Sequence, residues 1–172
     1  MTVSFHPIAH IDTNGRYLAE GEGEALWMPH TRMTVKAETE LTSGTYTLIE
    51  FSTPPGYGPP LHVHQDEDEA FYLIEGKMLM VCGDERWHVE AGGFVFLPRQ
   101  VPHAFVVTSP DPVRALQLTN PAGFERFAAE IGRPAAGPGL PEPIRPDARR
   151  TAEIALRYGY KVIGPALTPP ER

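Results

Sequence analysis

Residues 61–74 of the chain read LHVHQDEDEAFYLI, and this stretch decides the fold. Two short apolar runs, Leu61 to His64 and Glu69 to Ile74, flank a polar turn of four residues. Short runs of this kind, each closed by Gly, Pro, Asn or Asp, are typical of strands in a sandwich or barrel. The same pattern predicts nine strands in all: Arg32 to Ala37, Thr45 to Ser52, Leu61 to His64, Glu69 to Ile74, Lys77 to Val81, Glu85 to Val89, Phe94 to Leu97, His103 to Val107 and Val113 to Thr119. We therefore predict an all-β domain.

Two helices are predicted after the last strand. Asn120-Pro121 can cap and open the first helix, and Gly132 ends it. Its apolar residues recur at helical spacing: Phe124, Phe127, Ala128 and Ile131. Five prolines interrupt residues 133–146, so we expect an extended surface connector there rather than a mobile lid. A second helix is predicted from about Asp147 to Tyr158, with Gly159 as its natural end.

Composition limits the domain organisation and the partners. A chain of 172 residues is expected to form one domain, residues 1–172, with a barrel core at about 32–119 and a helical extension at 120–172. The net charge of -7 argues against nucleic acid or an anionic membrane as partner. There is no apolar run of membrane-spanning length and no secretory segment, and the single Cys82 fits a reducing compartment. We expect a cytoplasmic protein.

The quoted stretch also contains candidate metal ligands. His62 and His64 are two residues apart, so in a strand both imidazoles project from one face, roughly 6–7 Å apart. Glu69 opens the next strand at the edge of the core, where a carboxylate needs a partner. The remaining acidic residues of the turn, Asp66, Glu67 and Asp68, are interpreted as a solvated loop.

Two spaced motifs resemble those of the cupin superfamily. The first is Gly, five residues, His-x-His, four residues, Glu, six residues and Gly; the second is Gly, five residues, Pro and a His five residues later. This chain matches them over residues 34–119 at Gly56, His62, His64, Glu69, Gly76, Gly92, Pro98 and His103. It departs from them at two positions, because Gln100 replaces a usual Gly and Val107 a frequent Asn.

The resemblance implies a double-stranded β-helix, or jelly-roll barrel, that holds one divalent metal ion per chain through His62, His64, Glu69 and His103. Fe, Mn, Ni, Co, Cu and Zn are all compatible with three imidazoles and one carboxylate. A structural zinc site would be closed and usually rich in thiolates, which one cysteine cannot supply. The other histidines lack spaced partners and are interpreted as ordinary residues: His6, His10, His30 and His88.

Several residues are candidates for a substrate pocket. Four apolar residues share strand parity with Glu69 or His103 and could line the mouth of the barrel, although core packing explains them equally well: Phe71, Leu73, Phe105 and Val107. Gln117 could aim inward opposite the metal and contact a ligand or the substrate, but its neighbours Leu116 and Leu118 compete for the same face.

The resemblance extends to single-domain cupins described as quercetin-dioxygenase-like. The segment from Pro121 to Glu125, with the helices that follow, also looks like the corresponding part of those proteins. It implies a dioxygenase that acts on a small aromatic or enolisable hydroxylated compound, with Glu69 as ligand and proton acceptor. Two alternatives stay open: a non-oxidative cyclase, isomerase or decarboxylase in which the metal is a Lewis acid, and a non-catalytic module that binds a small molecule.

A homodimer is also expected, because a small barrel leaves edge strands with unpaired backbone groups. The segment from Trp27 to Ala37 reads as an apolar strand that seeks such an edge. The C-terminal helices could instead cover the same edge within one chain, through Phe124, Phe127, Ala152 and Leu156.

Overall fold

The computed structural model of the chain describes residues 15–144 and 147–170. His6 and His10 lie outside the described residues. Strands and helices follow in the order β1 (Glu24–Met28), β2 (Thr31–Ala37), β3 (Thr47–Thr53), β4 (Pro60–His64), β5 (Asp68–Glu75), β6 (Lys77–Cys82), β7 (Glu85–Glu90), β8 (Phe94–Leu97), β9 (His103–Val107), β10 (Val113–Asn120), α1 (Phe124–Ile131), β11 (Arg133–Pro134), α2 (Ala148–Arg157) and β12 (Tyr160–Ala166). Within the described ranges, neither helix is long and apolar enough to cross a membrane.

The strands form two antiparallel sheets. One has the order β11-β1-β2-β3-β10-β5-β8 and the other the order β12-β4-β9-β6-β7. Along β3 and β10 every second side chain is buried, as period-two strands with one face on a core require. The core comes from both sheets and includes Ile49, Phe51, Leu73, Met78, Met80, Val107 and Val113. The predicted all-β jelly-roll barrel with two C-terminal helices is confirmed.

Strand β12 is absent from the sequence prediction, which ends the last helix at Gly159 and expects nothing beyond it. Only Tyr160 of its seven residues is buried, so the strand has no alternation of apolar and polar side chains to reveal it. It also contains Gly164 and Pro165, which are tolerated because β12 is an edge strand paired with β4 alone. The formation of β12 therefore depends on its pairing with β4 and not on a local sequence pattern.

Helix α1 begins at Phe124, four residues later than Asn120, because Asn120 continues β10 and its side-chain amide donates to the Thr45 carbonyl at 2.6 Å. The Glu125 carboxylate at the start of α1 is buried and accepts hydrogen bonds from the hydroxyls of Thr39 and Thr47. These contacts fix the helix against β3. For α2 the prediction is close, since the side chain of Asp147 caps the helix.

The segment from Trp27 to Ala37 was expected to offer a sheet edge to a second chain or to the C-terminal helices, but another part of the same chain occupies that edge. Strand β11 pairs with β1 there, and the connector continues alongside because Trp27 Nε1 donates to the Gly139 carbonyl at 2.9 Å. The Arg133 guanidinium lies 5.4 Å from the centre of the Trp27 ring. The helices contribute elsewhere, since Phe124, Phe127 and Ala152 line an internal cavity and Leu156 is 61% exposed.

Candidate metal centre

The four residues singled out by spacing meet between the two sheets. Strands β4 and β9 of the five-stranded sheet supply three histidines, with His62 directly opposite His103. Strand β5 of the seven-stranded sheet supplies Glu69. One potential donor atom from each of His62, His64, Glu69 and His103 lies within 4.8 Å of the others. This cluster could hold a metal ion.

Backbone carbonyls orient two of the three imidazoles. Nδ1 of His62 lies 2.9 Å from the Pro60 oxygen, and Nδ1 of His103 lies 2.9 Å from the Val101 oxygen. A carbonyl can only accept a hydrogen bond, so Nδ1 carries the hydrogen in both rings. Nε2 is then unprotonated in each neutral ring and is free to serve as a metal ligand.

The charges in the cluster also suit a cation. Burial raises the pKa of Glu69, but the surrounding His64, His103 and His62 outweigh it and hold that pKa at about 2. Burial is also the main reason that the pKa of His62 falls to about 4, and its two histidine neighbours add to this effect. At neutral pH an ionised carboxylate therefore faces a neutral His62, which are the ligand forms that a divalent ion binds.

Two buried atoms of the cluster, His64 Nδ1 and His103 Nε2, have no hydrogen-bond partner among the described residues. His103 Nε2 is inaccessible to solvent, makes no hydrogen bond, and lies 3.4 Å from a Glu69 carboxylate oxygen. Burial lowers the pKa of His103, although the Glu69 carboxylate raises it above its ordinary value. A buried polar atom without a partner costs free energy, and a cation between these two groups would satisfy both. The residues present therefore fit a divalent ion with nitrogen and oxygen ligands.

Gln117, the candidate on β10, lies beside this cluster. It is 5% exposed, and its Nε2 donates to Glu69 Oε1 at 2.6 Å. The hydrogen bond uses one carboxylate oxygen and leaves Oε2 directed at His103. Gln117 therefore fixes the orientation of Glu69.

A cavity of about 350 Å³ opens from the cluster towards the helices. Phe71 and Phe105 line it, as does Gln117. Leu73 and Val107 are absent from its described lining and are fully buried in the core. Their strand parity is as expected, but each lies four residues along the strand from its ligand, roughly 13 Å deeper in the barrel.

The interpretation of the acidic turn is wrong for Glu67. Asp66 is exposed, and Asp68 forms an ion pair with Arg99 at 2.7 Å, but Glu67 is only 8% exposed. Its carboxylate accepts a hydrogen bond from the Tyr160 hydroxyl at 2.6 Å. Burial raises the pKa of Glu67 to about 7, although the hydrogen bond from Tyr160 opposes this. The sequence signal for its burial was strand parity, because Glu67 lies two residues before Glu69 and side chains two residues apart on a strand share a face.

The turn before His103 keeps its shape despite Gln100. The backbone φ of Gln100 is +66°, a left-handed conformation that a Gly adopts more readily. Its backbone N–H donates to the His64 carbonyl at 2.7 Å. The turn therefore holds β9 against β4 at the level of the ligands.

The chain is a jelly-roll barrel in which three histidines and one glutamate on facing strands could hold a metal ion. The cupin domain family matches residues 49–119. The chain is 27% identical over 117 residues to a quercetin 2,3-dioxygenase of Bacillus subtilis, a match that covers 68% of this chain. These findings show that residues 49–119 form a cupin domain, and that the chain is similar to this dioxygenase over 117 residues.

Two further similarities agree with the fold. Over 75 residues, 44% of this chain, it is 29% identical to an uncharacterised protein of Methanocaldococcus jannaschii. The crystal structure of a predicted oxalate decarboxylase from Thermotoga maritima is similar with a TM-score of 0.57 and 17% identity, covering 61% of this chain and 98% of that one. The chain spans 34% of the length of the Bacillus relative and 60% of that of the Methanocaldococcus relative.

Proposed function

We propose that the chain binds one divalent metal ion and is a dioxygenase for a small aromatic or enolisable hydroxylated compound. The support is the ligand cluster, the cavity that opens from it, and the similarity to a protein named quercetin 2,3-dioxygenase. The first two features concern the site rather than the barrel, which hosts many unrelated activities.

The chemistry of the cavity lining carries the choice of substrate. Among the described residues that line it there is no lysine, arginine or aspartate, and Glu69 is the lone carboxylate. A substrate with a second charge, such as a dicarboxylate or a phosphate ester, would therefore bury that charge unpaired. A phenol or an enol can lose a single proton, so that one anionic oxygen faces the ligand cluster while the ring contacts apolar walls. Those walls include Phe51, Phe71, Phe105, Phe124 and Phe127.

The residues of the chain then have separable tasks. A bound divalent ion would supply Lewis acidity that lowers the pKa of a substrate hydroxyl group. Glu69 accepts the proton from that hydroxyl, and Gln117 keeps its carboxylate oriented through the 2.6 Å hydrogen bond. The aromatic side chains position the ring and exclude water from the reacting oxygen.

The reaction class is tested by following substrate and dioxygen together. Protein loaded with each candidate metal is given flavonols, catechols and enolic diketones in air and under strict anaerobiosis. We expect substrate loss only in air, accompanied by dioxygen uptake at an oxygen electrode. Equal turnover without dioxygen would assign the non-oxidative alternatives, and tight binding without any turnover would assign the binding module.

Removal of the metal is expected to lower thermal stability. An ion that binds only the folded chain at about 100 times its Kd adds about 2.7 kcal/mol. For a domain of this size that corresponds to a fall in Tm of roughly 5–10 °C on chelation. Calorimetry before and after dialysis against a chelator measures the change, and re-addition of the ion should restore it. An unchanged Tm would contradict a functional site.

We further propose that the protein is a homodimer. The edge near Trp27 is paired with β11, but β8 forms the opposite edge of that sheet and carries the exposed Phe94 and Phe96. Light scattering at low micromolar concentration should give the mass of two chains, with or without chelator. The mass of one chain would contradict the dimer.

A further inference from the structure

His64 differs from the other two histidines of the cluster. Their Nδ1 atoms each have a backbone carbonyl at 2.9 Å, whereas His64 Nδ1 is buried and makes no hydrogen bond to any residue that the structure describes. The His64 ring is 1% exposed, so water does not replace the missing partner at its surface. An imidazole that ligates a metal almost always donates its other N–H to an oxygen. His64 therefore needs an acceptor from elsewhere in the chain.

The nearby candidate is the misassigned Glu67. A carboxylate oxygen of Glu67 lies 3.6 Å from His64 Nδ1, longer than a hydrogen bond but within reach of a small side-chain rotation. The same oxygen accepts the 2.6 Å hydrogen bond from the Tyr160 hydroxyl. Tyr160 is itself 4% exposed, and its ring centre lies 4.4 Å from that of His64.

Strand β12 delivers Tyr160 to this position. The strand pairs antiparallel with β4, with Tyr160 directly opposite His64. The chain reaches that register from α2 through Gly159, whose φ is +78° and whose carbonyl accepts a hydrogen bond from the Gln65 N–H at 2.9 Å. All of these residues of the extension lie outside residues 49–119, which match the cupin domain family.

We propose that Glu67 and Tyr160 form a positioning pair for His64: Glu67 accepts the Nδ1 hydrogen, and Tyr160 holds the Glu67 carboxylate in place. The C-terminal extension is then part of the metal centre, beyond its role as a wall of the cavity. An oxygen acceptor fixes the tautomer of His64 and increases the basicity of Nε2. This inference rests on the proposed metal site and is independent of the reaction that the site serves.

Zinc affinity of the full chain, measured by competition with a chromophoric chelator, tests the pair. Glu67→Leu removes the acceptor and should weaken zinc binding about 10–100-fold, the usual cost of losing such a contact. Glu67→Gln retains an oxygen acceptor and should recover part of that loss. Tyr160→Phe keeps the ring against His64 but removes the hydroxyl, so an intermediate loss is expected.

Glu125→Gln is the matched control, because Glu125 is also a buried carboxylate with hydroxyl donors but holds α1 against β3. It should lower the Tm of the metal-free chain and leave zinc affinity unchanged. Zinc affinity of Glu67→Leu within twofold of the parent chain would overturn the proposal, as would an equal loss in Glu125→Gln. A parent chain that binds no zinc would instead overturn the metal site itself.

A second measurement follows the hydrogen on the His64 ring. Long-range ¹H–¹⁵N correlation spectra of the zinc-loaded chain should show His64 with its hydrogen on Nδ1. In Glu67→Leu this hydrogen should exchange faster with solvent, because its acceptor is gone. A His64 ring that carries its hydrogen on Nε2, or that is unaffected by the substitution, would contradict the assignment.

Discussion

His103→Ala is expected to abolish stoichiometric binding of a divalent ion. His103 supplies the buried Nε2 that faces Glu69. Removal of the His103 imidazole leaves the Glu69 carboxylate without this nitrogen beside it. Loss of a ligand should cost more than the roughly 10–100-fold that loss of an outer contact costs. Elemental analysis after gel filtration measures the ion retained per chain.

His88→Ala is the control for this experiment, because His88 is an exposed histidine on β7. The His88→Ala chain should retain one ion, as the parent chain does. Circular dichroism spectra of both variants should retain the β signal. A His103→Ala chain that still carries one ion with parent affinity would show that the ion binds elsewhere.

Glu69→Gln is expected to lower kcat far more than it changes substrate affinity. The substitution keeps the size of the side chain and the contact to Gln117 but removes the proton acceptor and the negative charge. Loss of a positioned general base costs about 10²–10⁴-fold in rate. Steady-state kinetics on the substrate found in the aerobic screen, at saturating metal, separates kcat from KM.

Asp68→Asn is the matched control, because Asp68 is adjacent in sequence but forms a surface ion pair with Arg99. Its kcat should stay within about twofold of the parent value, since surface ion pairs contribute little free energy. Metal content of both variants is measured in parallel, so that a loss of the ion is not mistaken for a loss of the proton acceptor. A Glu69→Gln enzyme with at least half of the parent kcat would remove Glu69 from the catalytic role.

The strands and three of the four candidate ligands were predictable because they depend on local spacing. Period-two alternation identifies β3 and β10, and it also puts His62 and His64 on one face of β4. His103 was added by the resemblance to the second cupin motif, and the structure pairs it with His62.

Depth and long-range pairing were not predictable in the same way. Parity gives the face of a strand but not the distance along the barrel, so it left Leu73 and Val107 as candidates for either the cavity or the core, and they lie in the core. The role of Glu67 depends on Tyr160, which lies 93 residues away in the sequence on a strand without alternation. Parity with Glu69 was the local signal for its burial, but nothing local identifies Tyr160 as its partner.

One divalent ion is expected to bind His62, His64, Glu69 and His103, and anomalous diffraction would locate it. Crystals grown with zinc and measured at its absorption edge should show one strong peak inside the barrel of each chain. The peak should lie about 2.0–2.2 Å from Nε2 of the three histidines and from a Glu69 carboxylate oxygen. No peak at this position, or three imidazoles that point away from one another, would contradict the account.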